Sequence, residues 1–514
     1  MDNFNVCLVN DSFPPAIDGV ANAVTNYARI ISSELGRASV VTPYYPDADD
    51  SVFDFPVIRY PSLDFTKFVG YRAGIPFSPE VSEKIEKSGF DIIHTHCPIT
   101  STMLARTMRE RINAPVVITY HTKFDIDIAN AVKSKLLQEE AAKVLVANIS
   151  ACDEVWTVSR GAGENLRSLG YEGDYIVMPN GVDFPRGRVS DELVASVTGG
   201  YDLPDGVPVF LFVGRMMWYK GIRIILDAIK KIYDGGHDFR MVFVGGGGDR
   251  DEIIAYAEEL GITDRVFFVP AIHDRDAIRA WYCRADMFLF PSTFDTIGLV
   301  VREAAACALG SVLIKVSCAA EDSTDMVNSI FIEENADSMA AALENMLEQP
   351  EIMGRIGENA QRDLYMSWET AVKNAYERYG IVIEGYRGGK YPEHEKFTDE
   401  MFNRTGLTLS RMAERRENRR ETLEHIRSEY NELLSDMQSD REQMIKSLTE
   451  DMDRVTNSIA AERERVQDEI NDVLEDLEAE RSRIGGEIES LYREIETERR
   501  RVENELMEAM DRFL

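Results

Sequence analysis

Positive charge is what this chain has too little of: 57 Lys and Arg stand against 90 Asp and Glu over 514 residues, a formal net charge of −33. A broad basic surface for nucleic acid is excluded on that balance, and so is wholesale adsorption to an anionic membrane. Long apolar runs are missing as well. No stretch approaches eighteen uncharged apolar residues, so no transmembrane helix is expected. Met1 to Phe13 contains Asp2 and Asp11 and no Lys or Arg, unlike a secretory leader. Only six cysteines occur, Cys7, Cys97, Cys152, Cys283, Cys307 and Cys318, none spaced as a zinc or redox pair. They read as small buried hydrophobes in a reducing cytosol. Proline stops at Pro392, and the last fifth of the chain has none.

What is present divides in the same place. From Arg411 to Leu514 there are 18 basic and 30 acidic residues, net −12; the preceding 410 residues hold 39 and 60, net −21, at about half the charge density. The Gly-rich stretch Gly385–Lys390 and Pro392 mark the join. The whole chain is 44% hydrophobic, enough for full cores. It repeats short apolar runs followed by turns and helical patterns: Asn5–Val9, Ser39–Val41, Asp91–His94, Val116–Tyr120, Glu154–Val158, Tyr175–Met178, Val209–Val213, Arg240–Val244, Val266–Val269, Met287–Phe290 and Val312–Lys315. Continuous runs of four or five predict parallel strands buried on both faces, and their alternation with helices predicts doubly wound α/β sheets. The pattern restarts at Val209 after a Pro/Gly-rich stretch. Two Rossmann-like domains follow, 1–190 and 191–384, facing a cleft, with a linker over 385–410.

Three strand-to-helix turns carry candidate chemistry. In Phe290–Ala304 a strand ends, a loop carries Asp295, and a helix starts near Gly298, so backbone N–H groups at Ile297, Gly298 and Leu299 can meet a pyrophosphate. Glu303 follows eight positions after Asp295. In Val213–Gly221, Arg215 and Lys220 could neutralise a diphosphate or could be surface charges. Phe243–Asp249 has four glycines, Gly245 to Gly248, but Arg250 falls where a dinucleotide fingerprint needs its third glycine. Near the start, Asp18-Gly19 precedes a helix over Ala21–Leu35. His121, in Thr119-Tyr120-His121-Thr122, ends a strand at the same sheet edge; His94 and His96 end another and read as structural.

These residues, in this order, together with Pro179-Asn180-Gly181-Val182-Asp183 and a closing helix at Ser367-Trp368, resemble the family 4 glycosyltransferases of GT-B fold over about residues 1–384. The resemblance implies a retaining, metal-independent transfer from a nucleotide sugar, with no cofactor. It implies that Arg215 and Lys220 hold the diphosphate, that Glu303 holds the ribose hydroxyls, that Asp295 contacts sugar hydroxyls, that His121 touches the donor sugar, and that Gly19 lies by the phosphate and acceptor. A leaving diphosphate gathers charge that preorganised cations and helix N–H groups stabilise. Asp295 departs from the family's usual Glu, Tyr219 replaces the acidic residue usual before the lysine, and Asp18-Gly19 replaces Gly-Gly. The Asp-Gly-Val and Tyr-His-Thr forms look most like the branch that glucosylates diacylglycerol. The expected reaction is therefore transfer of a hexose, glucose from a UDP-sugar, to a membrane lipid. The alternatives are a soluble or polymeric sugar acceptor, and a coiled-coil scaffold with a weakened sugar-nucleotide site. A lipid acceptor calls for membrane contact by a cytoplasmic protein at the inner face. Arg106, Arg109 and Arg111 beside Leu104, Met108 and Ile112 offer one basic amphipathic helix, and Phe65, Lys67, Phe68, Tyr71 and Arg72 an aromatic-basic loop.

The tail repeats every eighteen residues. Tyr430, Leu448, Val466, Ile484 and Val502 are equivalent, as are Leu434, Met452, Ile470, Ile488 and Leu506; Met437, Val455, Val473, Leu491 and Ala509; and Ile459, Leu477, Ile495 and Phe513. Eighteen residues make five whole helical turns, so the stripe stays narrow and does not drift. The expectation is a nearly straight coiled coil over 411–514, about 156 Å long at about 1.5 Å per residue, joining a homodimer.

Overall fold

The computed structural model describes residues 3–16, 18–64, 72–125, 128, 134–391, 456–467 and 490–502, with single positions 481, 483 and 486. The chain divides into two compact units, Met1–Glu414 and Arg415–Leu514. The first contains two parallel α/β sheets.

Strands β1 (Asn5–Val9), β2 (Arg37–Pro43), β3 (Val57–Tyr60), β6 (Ile92–Thr95), β7 (Val116–Tyr120), β8 (Glu154–Thr157) and β9 (Ile176–Val177) form the first sheet, in the order β3-β2-β1-β6-β7-β8-β9. A two-stranded antiparallel pair, β4 (Ser62–Leu63) and β5 (Ala73–Gly74), lies beside it. The second sheet has β10 (Val209–Val213), β11 (Arg240–Val244), β12 (Val266–Val269), β13 (Met287–Phe290), β14 (Ser311–Ile314) and β15 (Ile330–Ile332), in the order β12-β11-β10-β13-β14-β15. Each order reverses once, between β1 and β6 and between β10 and β13. Ligands of open α/β sheets sit at such switch points, beyond the strand carboxyl ends.

All eleven strands read from the sequence are present. Of the others, β3 is a half-buried edge strand and β15 has three residues, so neither leaves a continuous apolar run. In β10, β11 and β13 every residue is buried, which is why they were legible. The helix expected over Ala21–Leu35 runs Gly19–Ile30 and then widens into one π turn, Ile31–Leu35. Asp18 caps its start, accepting from the backbone N–H of Val20 at 2.8 Å and Ala21 at 2.7 Å.

The first sheet alternates its side chains between two cores. Val6 and Leu8 face one, Cys7 and Val9 the other. The first of these is closed by the helix Trp368–Arg387, whose Trp368, Ala371, Val372, Ala375, Tyr376, Tyr379, Val382 and Ile383 are buried in it at helical spacing. This corrects the boundary expected from chain order. The closing helix follows the second sheet in sequence but packs on the first, because its apolar stripe is complementary to that sheet's open face. Three polar ties anchor it. Phe4 N–H donates to Tyr376 OH at 2.7 Å, Tyr379 OH meets His94 Nδ1 at 2.6 Å, and Arg378 forks onto the Glu154 carboxylate. Gly385, expected in the linker, is still inside this helix.

The helix Thr100–Ile112 is not the basic exposed face its sequence suggested. Arg106 and Arg109 are buried; Arg106 donates to Asn148 Oδ1 at 2.7 Å and Arg109 pairs with Asp153 at 3.7 Å. Only Arg111 reaches outward, to Glu86. Of the aromatic-basic loop, residues 65–71 lie outside the described residues, and Arg72 is tied back to Ser62. Among the described residues no helix is long and apolar enough to cross a membrane. In the second unit, 456–467, 490–502 and positions 481, 483 and 486 are helical, and the rest of the expected coiled coil lies outside the described residues.

Candidate active site

A cavity of about 920 Å³ opens at the two switch points. Its first-sheet wall comes from the turns after β1, β6 and β7, and its second-sheet wall from the turns after β10 and β13. Gly19, His121, Arg215, Lys220, Asp295, Ile297, Gly298 and Leu299 all line it, so residues up to 280 positions apart in the chain meet in one space. Glu303 does not line it.

On the second-sheet side the chain leaves β10 through Gly214 and Arg215 and makes a 3-10 turn, Trp218–Lys220. Gly221 ends that turn at φ 77°, and a Cβ there would lie 2.0 Å from the Pro291 carbonyl oxygen. Only glycine allows this close approach of two backbones. The approach brings Lys220 to Asp295, Nζ to Oδ1 2.6 Å, while Ser292 Oγ donates to Asp295 Oδ2, also at 2.6 Å. Lys220 is buried, with its ammonium 5.6 Å and 5.4 Å from the ring centres of Tyr219 and Phe294. Arg215 is exposed, and among the described residues its guanidinium has no carboxylate partner. The helix Leu299–Ala306 starts from Gly298 at φ 66° with no side-chain cap. Its first N–H groups and the two cations thus surround one volume suited to a diphosphate.

Glu303 sits one turn further along that helix. Its carboxylate accepts from Arg275 Nη2 and from Tyr282 OH, each at 3.1 Å. Burial raises its pKa against the lowering pull of Arg275. The same burial, with the Glu303 charge beside it, pushes the Tyr282 phenol well up.

On the first-sheet side Gly19 faces open space, where a Cβ would meet nothing within 4 Å. His121 is buried, its Nε2 2.9 Å from His96 Nδ1 and its Nδ1 3.5 Å from the Asn180 amide nitrogen. Desolvation pushes its pKa down to about 3, so the ring is neutral at neutral pH. Asp11, after β1, accepts from the backbone N–H groups of Thr100 and Ser101 and so caps the helix Thr100–Ile112. That role left no local sequence signal, because donor and acceptor are about ninety residues apart.

The two walls also touch across the cleft. Lys123 Nζ donates to the Thr293 carbonyl at 3.0 Å, Ser159 Oγ donates to the Thr296 carbonyl, and Glu321 accepts from Arg160 N–H at 2.6 Å. Ile297 packs within the first domain's apolar cluster. The loop carrying Asp295 is therefore held on both flanks by the other domain.

Two parallel α/β domains facing a cleft are the GT-B architecture, and comparison with known proteins agrees. Residues 17–186 match the family Glycosyltransferase Family 4, and residues 199–363 match Glycosyl transferases group 1. The chain belongs to the family 4 glycosyltransferases, and it is an enzyme of the hexosyltransferase class. It is similar to the alpha-monoglucosyldiacylglycerol synthase of Acholeplasma laidlawii, 24% identical over 370 residues, spanning 69% of this chain and 91% of that one. The protein of that name from Streptococcus pneumoniae is 25% identical over 306 residues, 58% of this chain and 68% of that one. Among solved structures, Anabaena HepE in complex with UDP and glucose superposes with a TM-score of 0.57 at 17% identity, over 74% of this chain and all of that one, which speaks to the fold.

Proposed function

We propose that the protein transfers glucose from UDP-glucose to a membrane lipid such as diacylglycerol, with retention at the anomeric carbon and without a metal ion. The observation that carries this reading is the meeting of Arg215, Lys220 and the uncapped helix start at Gly298 across one cavity from His121 and Gly19. Two relatives named for glucosyl-diacylglycerol synthesis support the acceptor class.

In this reading the C1–O bond to the diphosphate breaks, the departing oxygen keeps the electron pair, and the acceptor hydroxyl oxygen bonds C1. The hydroxyl proton passes to the departing phosphate. Arg215, Lys220 and the N–H groups at Ile297, Gly298 and Leu299 take up the growing negative charge, which a site already arranged before reaction does best. Asp295, oriented by Lys220 and Ser292, lies within reach of the sugar hydroxyls. Neutral His121 offers the sugar a hydrogen-bonding partner from the opposite wall. Glu303, held by Arg275 and Tyr282, addresses the ribose. Residues 1–190 carry the acceptor and 191–384 the donor.

The helical tail pairs two copies. In the described helices Ile459, Val466, Leu491, Ile495 and Val502 are exposed, and all five fall on the eighteen-residue stripe. The protein would work in the cytoplasm, as a peripheral protein at the inner membrane face. The test is labelled UDP-glucose with purified full chain and liposomes of diacylglycerol and anionic lipid. Labelled glycolipid and released UDP are expected. Label on an added soluble sugar and none on lipid would replace the acceptor, and no UDP release with any acceptor would overturn the reading.

A further inference from the structure

His94 lies in β6 and His96 just beyond its end, side by side, yet they are held differently. His94 has both ring nitrogens occupied, Nδ1 by Tyr379 OH at 2.6 Å and Nε2 by Thr119 Oγ1 at 2.7 Å. It is a buried histidine fully used by the fold. His96 is equally buried but spends only Nδ1, on His121 Nε2 at 2.9 Å; its Nε2 has no partner among the described residues. Leaving such a group bare costs about 1–3 kcal/mol. An aromatic hydrocarbon would fill the same place without that cost. His96 also lines the cavity, and His94 does not.

We infer that His96 is a positioning residue for the transfer, fixing both the ring plane and the tautomer of His121. The argument runs outward from Asn180. Its amide nitrogen can only donate, so His121 Nδ1 accepts. A neutral imidazole then carries its proton on Nε2, which donates to His96 Nδ1. His121 Nδ1 remains as the acceptor, and a sugar hydroxyl can take its one lone pair in place of the long 3.5 Å contact from Asn180. The rings of His96 and His121 lie 5.2 Å apart at 23°, so the contact sets the His121 plane as well as its proton. His96 is itself braced by the edge of Tyr27 at 5.3 Å and by His94 at 4.0 Å between centroids. His94 is pinned by Tyr379 of the closing helix. A continuous packed line therefore leads from the Trp368–Arg387 helix through His94 and His96 to the cavity.

The inference rests on the role proposed for His121, and the experiment separates the two. Full-length His96→Phe, His96→Gln and His121→Ala are assayed with UDP-glucose and diacylglycerol liposomes, and UDP affinity is measured by calorimetry. Phe keeps the ring and removes the acceptor; Gln restores an acceptor oxygen. His96→Phe should lower kcat about tenfold or more with UDP affinity unchanged, since the diphosphate cations sit on the other domain. His96→Gln should recover much of that loss, and His96→Phe combined with His121→Ala should be no slower than His121→Ala alone. In 15N-histidine spectra of the wild type, His121 should carry its proton on Nε2. A wild-type kcat in His96→Phe, Gln no better than Phe, or a His121 proton on Nδ1 would overturn the inference. Full activity in His121→Ala would instead overturn the role of His121. If His96→Phe does not fold, His96→Gln and the spectra still decide.

Discussion

Replacing Asp295 by Asn should tighten UDP binding while it slows transfer. The two effects have opposite signs because Asp295 and the diphosphate compete for one ammonium. Lys220 Nζ lies 2.6 Å from Asp295 Oδ1, a gross attraction of about 6 kcal/mol at an effective dielectric of about 20. Desolvation of both groups offsets much of it, but the sign of the field at the diphosphate is unaffected. Asn keeps the shape and the acceptor oxygen toward Lys220 and removes the negative charge. A phosphate charge roughly 6 Å from that carboxylate gains about 1.4 kcal/mol at an effective dielectric of about 40, or about tenfold in affinity. Lys220→Met should do the reverse. It removes a charge-assisted hydrogen bond of roughly 1.5–3 kcal/mol and weakens UDP binding by about ten- to a hundredfold.

Titration calorimetry of the full chain with UDP, at low and at physiological salt, reads both numbers, and turnover in the same preparations reads the loss of sugar contact. The gain in Asp295→Asn should shrink as salt rises, because it is electrostatic. A folded Asp295→Asn protein that binds UDP equally or more weakly would refute the reasoning. It would mean that the carboxylate serves to orient Lys220 rather than to neutralise it.

Three further outcomes follow from the geometry. Lys123→Met removes the donor to the Thr293 carbonyl and loosens the loop carrying Asp295, so turnover should fall about five- to tenfold with UDP affinity unchanged; equal losses in both would place Lys123 on the donor instead. Gly221→Ala puts a Cβ 2.0 Å from the Pro291 carbonyl oxygen at φ 77°, and should lower the stability of the second domain by roughly 3 kcal/mol, read as a fall in its melting temperature. Deleting 394–514 should convert a dimer to a monomer in sedimentation while UDP affinity stays; an unchanged association state would assign the dimer to the body.

How much of this was legible depends on whether each partner lay nearby in the chain. β10, Val209–Val213, is buried on both faces and announces itself as five apolar residues in a row. The loops after β10 and β13 could be paired from sequence only because strand-to-helix turns share one sheet edge, and that rule did bring Arg215, Lys220, Asp295 and Gly298 together. Where the partner is remote, local chemistry misleads. Arg106 and Arg109 look like a basic surface until Asn148 and Asp153, some forty residues on, bury them. The closing helix shows a clear apolar stripe, Trp368, Val372, Tyr376 and Tyr379, but a stripe does not say which sheet it will cover.

The same limit explains the histidines. Positions 94 and 96 are both polar residues at the end of one strand, two apart, so the alternation of a strand points them to the same face, where their ring centroids lie 4.0 Å apart. What distinguishes them is which groups surround each ring: Thr119 and Tyr379 for one, His121 and the cavity for the other. Tyr379 comes from the helix whose docking the sequence could not assign. Once that helix is placed on the first sheet, His94 is saturated and His96 is left as the histidine with a nitrogen to spare beside the reaction space. A contact between residues 285 positions apart is thus what separates a structural histidine from one that orders the site.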